Sequence, residues 1–164
     1  MELGLELGFF LITRFFTIAL GTASVYLVYK IYLSLFSSCK AALVSAFLLA
    51  TSMTHIGLSI TARHWMPTSF IFLLVLYVVT REEVAERVRY FIALLIAGVG
   101  VGVDTTAILA LIPAFFWYVT HSTTPFLRLL RDRLIQTGIV LFVALAFLPT
   151  LLYIPLNLFP SYGS

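Results

Sequence analysis

Charged side chains are scarce in this sequence: Asp, Glu, Lys and Arg together make up 10% of the 164 residues, whereas hydrophobic types make up 62%. Soluble globular domains carry about 25% charged residues and roughly half apolar ones. The composition, with a mean hydropathy of +1.09, therefore excludes a soluble domain. The apolar runs are long and continuous and do not alternate with period two, which is typical of membrane helices. We predict an all-α, polytopic helical membrane protein.

Cysteine is almost absent as well, and Cys39 is the only one in the chain. A single cysteine excludes a disulfide framework, and no second cysteine or nearby histidine gives it the spacing of a metal site. We therefore expect Cys39 to be a structural thiol, and we expect the protein to use no metal and no cofactor.

A basic amino terminus is also lacking, because the chain starts with the acidic sequence MELGLELG. A secretory signal peptide would start with basic residues, so none is predicted. The formal net charge of +3 does not indicate a nucleic acid partner, since the basic residues occur in short clusters between apolar runs, where they set membrane topology. The partner that the composition does imply is the lipid bilayer.

Apolar stretches are abundant, and polar residues divide them into about six. A hydrocarbon core of about 30 Å needs roughly 20 residues of helix, yet residues 67–80 give only about 21 Å at 1.5 Å per residue. Some helices are therefore short and paired. Pro67 suits the first turn of one of them, and Pro149 and Pro155 should bend or end the last. We predict a single transmembrane domain over residues 1–164, with helices at residues 9–33, 41–60, 67–80, 90–103, 106–118 and 134–154.

Small and hydroxyl-bearing residues recur along the first predicted helix at Thr13, Thr17, Gly21 and Ser24. Their spacing of three or four residues places them on one helical face. Such a face can pack closely on a neighbouring helix or line a cavity. We expect close packing.

A polar segment, SMTHIGLSITARHWMP at residues 52–67, separates two apolar runs and contains His55, Arg63 and His64. Ionisable groups at membrane depth are costly, so they indicate a functional site with an acidic partner or an anionic ligand. The short helix that follows predicts that this turn is recessed in protein or in a wet cavity. Two interpretations of Arg63 stay open: a ligand-binding cation, or a helix cap that snorkels to the interface.

Asp104 repeats this pattern, because it also lies at a turn between two short predicted helices, after the glycine-rich sequence GVGVG. An Asp at this position can cap the helix that begins at Thr105, orient Arg63, or contact the hydroxyl of an acceptor. We favour the cap.

The basic residues divide unevenly when the predicted helices alternate across the membrane. Eight of the ten Lys and Arg residues fall on one side, which the positive-inside rule makes cytoplasmic. We expect residues 81–89 there to form a solvated charged loop and residues 121–133 to include a helix along the membrane interface. Both termini, Arg14 and the polar segment then lie on the non-cytoplasmic side. A first residue outside without a signal sequence leads us to expect a fragment or a late-start gene product. The cytoplasmic group comprises Lys30, Lys40, Arg81, Arg87, Arg89, Arg128, Arg131 and Arg133.

From Arg14 to Pro113 the sequence resembles the GT-C membrane glycosyltransferases, in particular those similar to dolichyl-phosphate-mannose protein mannosyltransferases and lipid A aminoarabinose transferases. The residues that carry the resemblance begin with Arg14, Gly21 and YLVY at residues 26–29. They continue with the helix AALVSAFLLATSMTHIGLSITAR, the short helix after HWMP, and GVGVGVDTTAILALIPAF. Position 104 departs from the pattern, since many relatives carry a basic residue where this chain has Asp104.

The resemblance implies an enzyme of the cell (inner) membrane that transfers a sugar from a polyprenyl-phosphate donor to a protein, lipid or glycan acceptor on the non-cytoplasmic face. The catalytic carboxylate of such enzymes lies in a loop after a first transmembrane helix, and neither has a counterpart here, so the catalytic residue is unassigned and we expect this chain alone to be inactive. Arg63 and His64 would stabilise the charge of a leaving polyprenyl phosphate. The substrate-binding residues that we predict are Arg63, His64, Asp104, Arg14 and His55.

Two other functions are compatible with the same residues. A non-catalytic membrane subunit or a transporter fragment would use the recessed turns to line a permeation path between broken helices. Inverted repeats would favour a transporter, and the two pairs of short helices do not match in residue pattern. The third possibility is a purely structural membrane module.

Overall fold

The computed structural model of the chain describes the backbone of residues 2–61, 65–122 and 124–158, and the side chains of residues 7–61, 65–122 and 124–149. Every regular element in these ranges is helical, which confirms the all-α prediction. The helices are α1 (Glu2–Phe36), α2 (Cys39–Thr51), α3 (Met53–Ile60), α4 (Trp65–Val79), α5 (Glu86–Val103), a 3₁₀ helix (Thr105–Ala110), α6 (Leu111–His121), α7 (Phe126–Arg131) and α8 (Arg133–Leu158).

Helix α1 is longer than the predicted residues 9–33. It runs for 35 residues, about 52 Å at 1.5 Å per residue. Most of the flanking residues are helix formers and no proline interrupts the helix, although Gly4 and Gly8 lie near its start. It ends at Phe36, and the next residue, Ser37, has a φ of 50°, in the left-handed region that terminates helices. Its apolar part, Leu7–Phe36, is long enough to cross a membrane.

The second predicted helix, residues 41–60, is wrong as a single element, because the chain bends by 58° between α2 and α3. Ser52 sits at the break with an extended ψ of 120°. Its hydroxyl accepts a hydrogen bond from the backbone N–H of His55 at 3.4 Å and so caps α3. A serine hydroxyl can bond to the backbone at the start of a helix, as here, or lie within a continuous helix. The sequence pattern alone did not show which of the two applies to Ser52.

Helix α4 begins at Trp65, so Pro67 lies in its first turn as predicted. Helix α5 begins at Glu86, four residues before the predicted start, and the charged loop is correspondingly shorter than residues 81–89. An acidic residue in the first turn is favourable for the helix dipole. Arg89 is held in the helix by a hydrogen bond from Nη1 to the carbonyl of Val79 at 2.9 Å.

The last two predicted helices also differ in detail. Residues 106–118 form a 3₁₀ helix, Thr105–Ala110, followed by α6. Helix α8 continues through Pro149 to Leu158, so the prolines do not end it; membrane segments tolerate the lost backbone hydrogen bond. The helix expected within residues 121–133 is α7.

The core lies between α4, α5, α6, α7 and α8, and includes Val75, Ala97 and Ala114. Helices α5 and α8 approach each other closely at Gly98, where an added Cβ would lie 2.9 Å from Cα of Phe142. The outer faces carry exposed large apolar side chains, such as Phe116, 68% exposed. Faces of this kind are suited to lipid.

By length and composition, α1 is the one described helix that can cross a membrane alone, and α2 with α3 would be a second if the bent pair counts as one span. The other apolar helices are shorter or carry charged residues in their first turn. The prediction of six membrane helices and of a single transmembrane domain therefore stays a prediction.

Candidate functional site

The ends of several helices meet at one end of the bundle, which we call the charged end. The hydroxyl of Ser34 near the end of α1 donates to the carbonyl of Thr80 at 3.4 Å. Glu86 at the start of α5 accepts hydrogen bonds from the hydroxyls of Ser122 and Thr124, the latter at 2.9 Å. These contacts gather the loops that carry the predicted cytoplasmic basic residues.

The loop between α4 and α5 is solvated and internally paired. Arg81 Nε lies 2.9 Å from Glu83 Oε2, and its guanidinium lies 5.4 Å from the ring centre of Tyr77. A hydrogen bond from the backbone N–H of Glu83, and a second from Arg81, lower the pKa of the Glu83 carboxyl. These contacts agree with the predicted charged loop and show no ligand-binding arrangement.

Asp104 lies at the opposite end and caps the 3₁₀ helix. Its Oδ1 accepts from the backbone N–H of Thr106 at 2.9 Å and from the Thr106 hydroxyl at 2.8 Å. Its Oδ2 accepts from the hydroxyl of Thr68 in α4 at 3.4 Å. The predicted cap is confirmed, and the same carboxylate also ties the start of α4 to the 3₁₀ helix.

His55 joins α3 to α1. Its Nε2 lies 3.1 Å from the carbonyl oxygen of Gly21, and Ser59, one turn further, donates to the His55 carbonyl at 2.8 Å. A Cβ on Gly21 would collide with the Ser59 hydroxyl, so glycine is what allows this approach. The predicted close packing of the α1 face is confirmed, with Thr17 and Ser24 buried on it.

A cleft of about 580 Å³ lies between α1, α2, α3, α4 and the 3₁₀ helix. Its apolar walls include Leu49, Phe72 and Leu109. More than half of the lining residues are polar, and hydroxyl groups predominate among them: Ser24, Ser52, Thr54, His55, Thr68, Ser69 and Thr106.

A second cavity, a groove of about 760 Å³, runs between α1 and the bent pair α2 and α3. It is lined mainly by apolar and aromatic side chains, including Val25, Tyr26 and Leu43. His55 also lines this groove. Of the described residues that line the groove or the cleft, His55 is the one that borders both.

The predicted site residues are thus distributed as follows. His55 forms the wall between the groove and the cleft, and Asp104 holds Thr68 and Thr106, which line the cleft. Arg14 is not brought to them: its exposed guanidinium lies 4.6 Å from the ring centre of Phe10 on the outside of α1. Arg63 and His64 lie outside the described residues.

Four hydroxyl residues of the cleft, Thr54, Thr68, Ser69 and Thr106, were not predicted. The only sequence signal for Thr68 and Ser69 is their position directly after Pro67 in the first turn of a short helix. They line the cleft because α4 and the 3₁₀ helix lie beside α1, α2 and α3. The sequence does not show which helices are neighbours. Within the described ranges, no three His, Cys, Asp or Glu side chains lie close enough together to hold a metal ion.

A family of known proteins matches this chain. The family model described as dolichyl-phosphate-mannose-protein mannosyltransferase matches residues 7–153, which include both cavities and most of the helical bundle. No curated protein and no solved structure gives a significant match. Because the match covers most of the chain, this protein belongs to the dolichyl-phosphate-mannose-protein mannosyltransferase family, a family of membrane glycosyltransferases of the GT-C type.

Proposed function

We propose that this chain binds a polyprenyl-phosphate sugar as part of a GT-C glycosyltransferase that transfers the sugar to a protein, lipid or glycan acceptor. The observation that carries the proposal is the pair of cavities that meet at His55. One is an apolar groove, and in the other six Ser and Thr side chains lie among apolar walls. A polyprenyl-phosphate sugar has the same division into a hydrocarbon tail and a polar head.

The groove suits the tail because its lining is almost entirely hydrocarbon and aromatic. Lipid tails are as apolar as such a lining, so moving a prenyl chain from lipid to the groove gives little net free energy. The groove therefore orients the ligand, and the polar head supplies most of the affinity and specificity.

The cleft suits a sugar because Ser and Thr hydroxyls both donate and accept hydrogen bonds, as sugar hydroxyls do. In a site with little water such hydrogen bonds are stronger than in bulk solvent. The hydroxyls of Thr68 and Thr106 are already positioned through Asp104. Asp104 thus supports the cleft as well as capping the 3₁₀ helix.

Arg63 and His64 are proposed to bind the phosphate. They follow Thr61 and precede Trp65 in the chain, and the cleft is lined by Leu58 on one side of this segment and by Trp65 on the other. A guanidinium matches two phosphate oxygens with two parallel N–H donors, which lysine does not reproduce. Such donors also stabilise the negative charge that develops on a leaving polyprenyl phosphate.

The membrane face on which transfer takes place is proposed from the distribution of the Lys and Arg residues. The cleft lies at the end of the bundle opposite the charged end, and the positive-inside rule places the charged end in the cytoplasm. We therefore propose transfer on the non-cytoplasmic face of the cell membrane, in a multi-pass protein with both termini on that face. The family match favours this function over a transporter fragment or a structural module.

The proposal is tested by ligand binding to the purified chain in lipid nanodiscs, with polyprenyl phosphate compared with a polyprenol of the same length. The wild-type protein should prefer the phosphate. Arg63→Lys should weaken binding of the phosphate by roughly 10- to 100-fold, because one charge-assisted contact contributes about 1.5–3 kcal/mol. His64→Ala should weaken it less.

The matched control is Arg131→Lys at the charged end, which should bind like wild type. Binding of polyprenol as tight as that of the phosphate would contradict the proposal. So would equal phosphate affinity in wild type, Arg63→Lys and Arg63→Ala, since Arg63 would then be the interfacial cap of the alternative interpretation.

A further inference from the structure

The position of His55 is fixed from three directions. The Ser52 hydroxyl accepts from its backbone N–H at 3.4 Å, the Ser59 hydroxyl donates to its carbonyl at 2.8 Å, and its ring nitrogen Nε2 lies 3.1 Å from the carbonyl oxygen of Gly21. The imidazole is therefore held in place at the wall that the groove and the cleft share.

The partner of Nε2 fixes which nitrogen carries the proton. A backbone carbonyl can only accept a hydrogen bond, so the Nε2–H of His55 must donate to Gly21. In the neutral ring the other nitrogen, Nδ1, then has no proton and is a hydrogen-bond acceptor. Nδ1 points away from Gly21, and no described residue donates a hydrogen bond to it.

A ligand that occupies both cavities must pass this ring. Its phosphate follows the tail and its sugar follows the phosphate, so the sugar lies on the cleft side of the ring. Resting on the proposed function, we infer that Nδ1 of His55 accepts a hydrogen bond from a hydroxyl of the donor sugar. In the neutral form of the ring Nδ1 has no proton to donate to a phosphate, whereas sugar hydroxyls are donors. His55 is then a specificity-determining residue that distinguishes the sugar-loaded carrier from the sugar-free polyprenyl phosphate formed by transfer, and so favours exchange of the spent carrier.

Two substitutions separate this role from the contact with Gly21. In His55→Gln the amide nitrogen reaches about as far as Nε2 and can still donate to the Gly21 carbonyl, but nothing replaces Nδ1. In His55→Asn the side-chain oxygen can replace Nδ1 as an acceptor, but the side chain is too short to reach Gly21. The matched control is His121→Gln at the charged end.

The experiment measures the affinities of dolichyl-phosphate-mannose and dolichyl phosphate for each protein in nanodiscs, together with the midpoint of thermal unfolding. Wild type and His121→Gln should prefer the mannose-bearing ligand. His55→Gln should lose about three- to tenfold of that preference, as expected for one neutral hydrogen bond, because binding of dolichyl-phosphate-mannose weakens more than binding of dolichyl phosphate. His55→Asn should keep more of the preference than His55→Gln and unfold at a lower temperature.

An unchanged preference in His55→Gln overturns the inference. So does an equal loss for both ligands, because this would indicate a phosphate contact or a purely structural residue. If His55→Gln is itself unstable, His55→Asn decides: a retained preference supports the acceptor role and a lost preference overturns it. Failure of the proposed function gives a different result, namely a wild-type protein that does not prefer dolichyl phosphate to dolichol.

Discussion

Two of the contacts that Asp104 makes differ in what they require of the side chain. The cap needs an acceptor for the Thr106 N–H, and the tie to α4 needs an acceptor for the Thr68 hydroxyl. Asparagine provides one side-chain oxygen and aspartate provides two. The cap therefore tolerates Asn. The tie would have to reverse, with the Asn amide nitrogen donating to the Thr68 hydroxyl.

We predict that Asp104→Ala lowers the free energy of unfolding by about 1 kcal/mol through loss of the cap, and that Asp104→Asn lowers it by less. Denaturant unfolding in detergent micelles, followed by circular dichroism, measures both values. Thr105→Ala, at an exposed neighbouring position, serves as the control. Equal stability of wild type and Asp104→Ala would show that the cap is not a stabilising contact.

At this scale the sequence was informative where the chemistry is local. The cap was predictable because Asp104 and Thr106 are two residues apart. The partner of His55 was not, because Gly21 lies 34 residues away in the chain and its carbonyl has no side-chain signal. Arg14 was predicted as a site residue because it is a charged residue on the same side of the membrane as the other candidates. The sequence does not show that its side chain lies on the outside of α1.

The approach of α1 to α3 depends on glycine at a single position. A Cβ on Gly21 would collide with the Ser59 hydroxyl and would lie 3.0 Å from the Ser59 Cβ. Gly57, in the same short helix α3, has no heavy atom within 4 Å of the corresponding Cβ position. The chain thus offers a glycine at the interface and a control glycine outside it.

We predict that Gly21→Ala destabilises the protein by about 1–3 kcal/mol, as overpacking typically does, and weakens the contact between His55 and Gly21. Gly57→Ala should be neutral or stabilising by up to about 1 kcal/mol, because alanine is the better helix former. Thermal unfolding of both variants in the same detergent compares them directly.

A double-mutant cycle with Ser59→Gly tests the cause. If the collision with Ser59 is responsible, Gly21→Ala and Ser59→Gly together should cost less than the sum of the two single changes. Simple additivity would mean that the cost of Gly21→Ala arises elsewhere.

The sequence predicted where helices form but not where they break. Apolar runs of this length form helices wherever they pack, so each predicted helix has a counterpart. The Ser52 hydroxyl can cap α3 or stay within a continuous helix, and the sequence pattern is the same in both cases. The groove and the cleft are both lined by residues of the bent pair α2 and α3, so their lining could not be derived from periodicity.

The whole molecule has a charged end and a cleft end, and the proposed orientation in the membrane follows from this polarity. Substitutions Glu83→Cys and Arg128→Cys at the charged end, made in a Cys39→Ser background, should be protected from a membrane-impermeant maleimide in intact cells. Thr105→Cys, an exposed position at the cleft end, should react. Cys39 must be replaced because it is exposed.

Reaction of both Glu83→Cys and Arg128→Cys from outside, with protection of Thr105→Cys, would reverse the orientation and place the cleft in the cytoplasm. Labelling after cell lysis shows that each cysteine is accessible once the membrane is opened. The sequence predicts this orientation from the basic residues alone. The structure adds that the end of α1, the loop after Thr80 and the loop at Ser122 and Thr124 meet at one end.

The central claim is that the apolar groove holds the tail of a polyprenyl phosphate, and site-resolved photocrosslinking tests it most directly. A polyprenyl phosphate with a photoreactive group on its tail is crosslinked to the protein in nanodiscs, and the modified peptides are identified by mass spectrometry. Crosslinks should fall on the groove-lining segments, residues 18–29 and 43–60, and unlabelled polyprenyl phosphate should compete for them far better than polyprenol. Crosslinks spread over outward residues such as Phe116 and Phe147, or insensitive to competitor, would contradict the account.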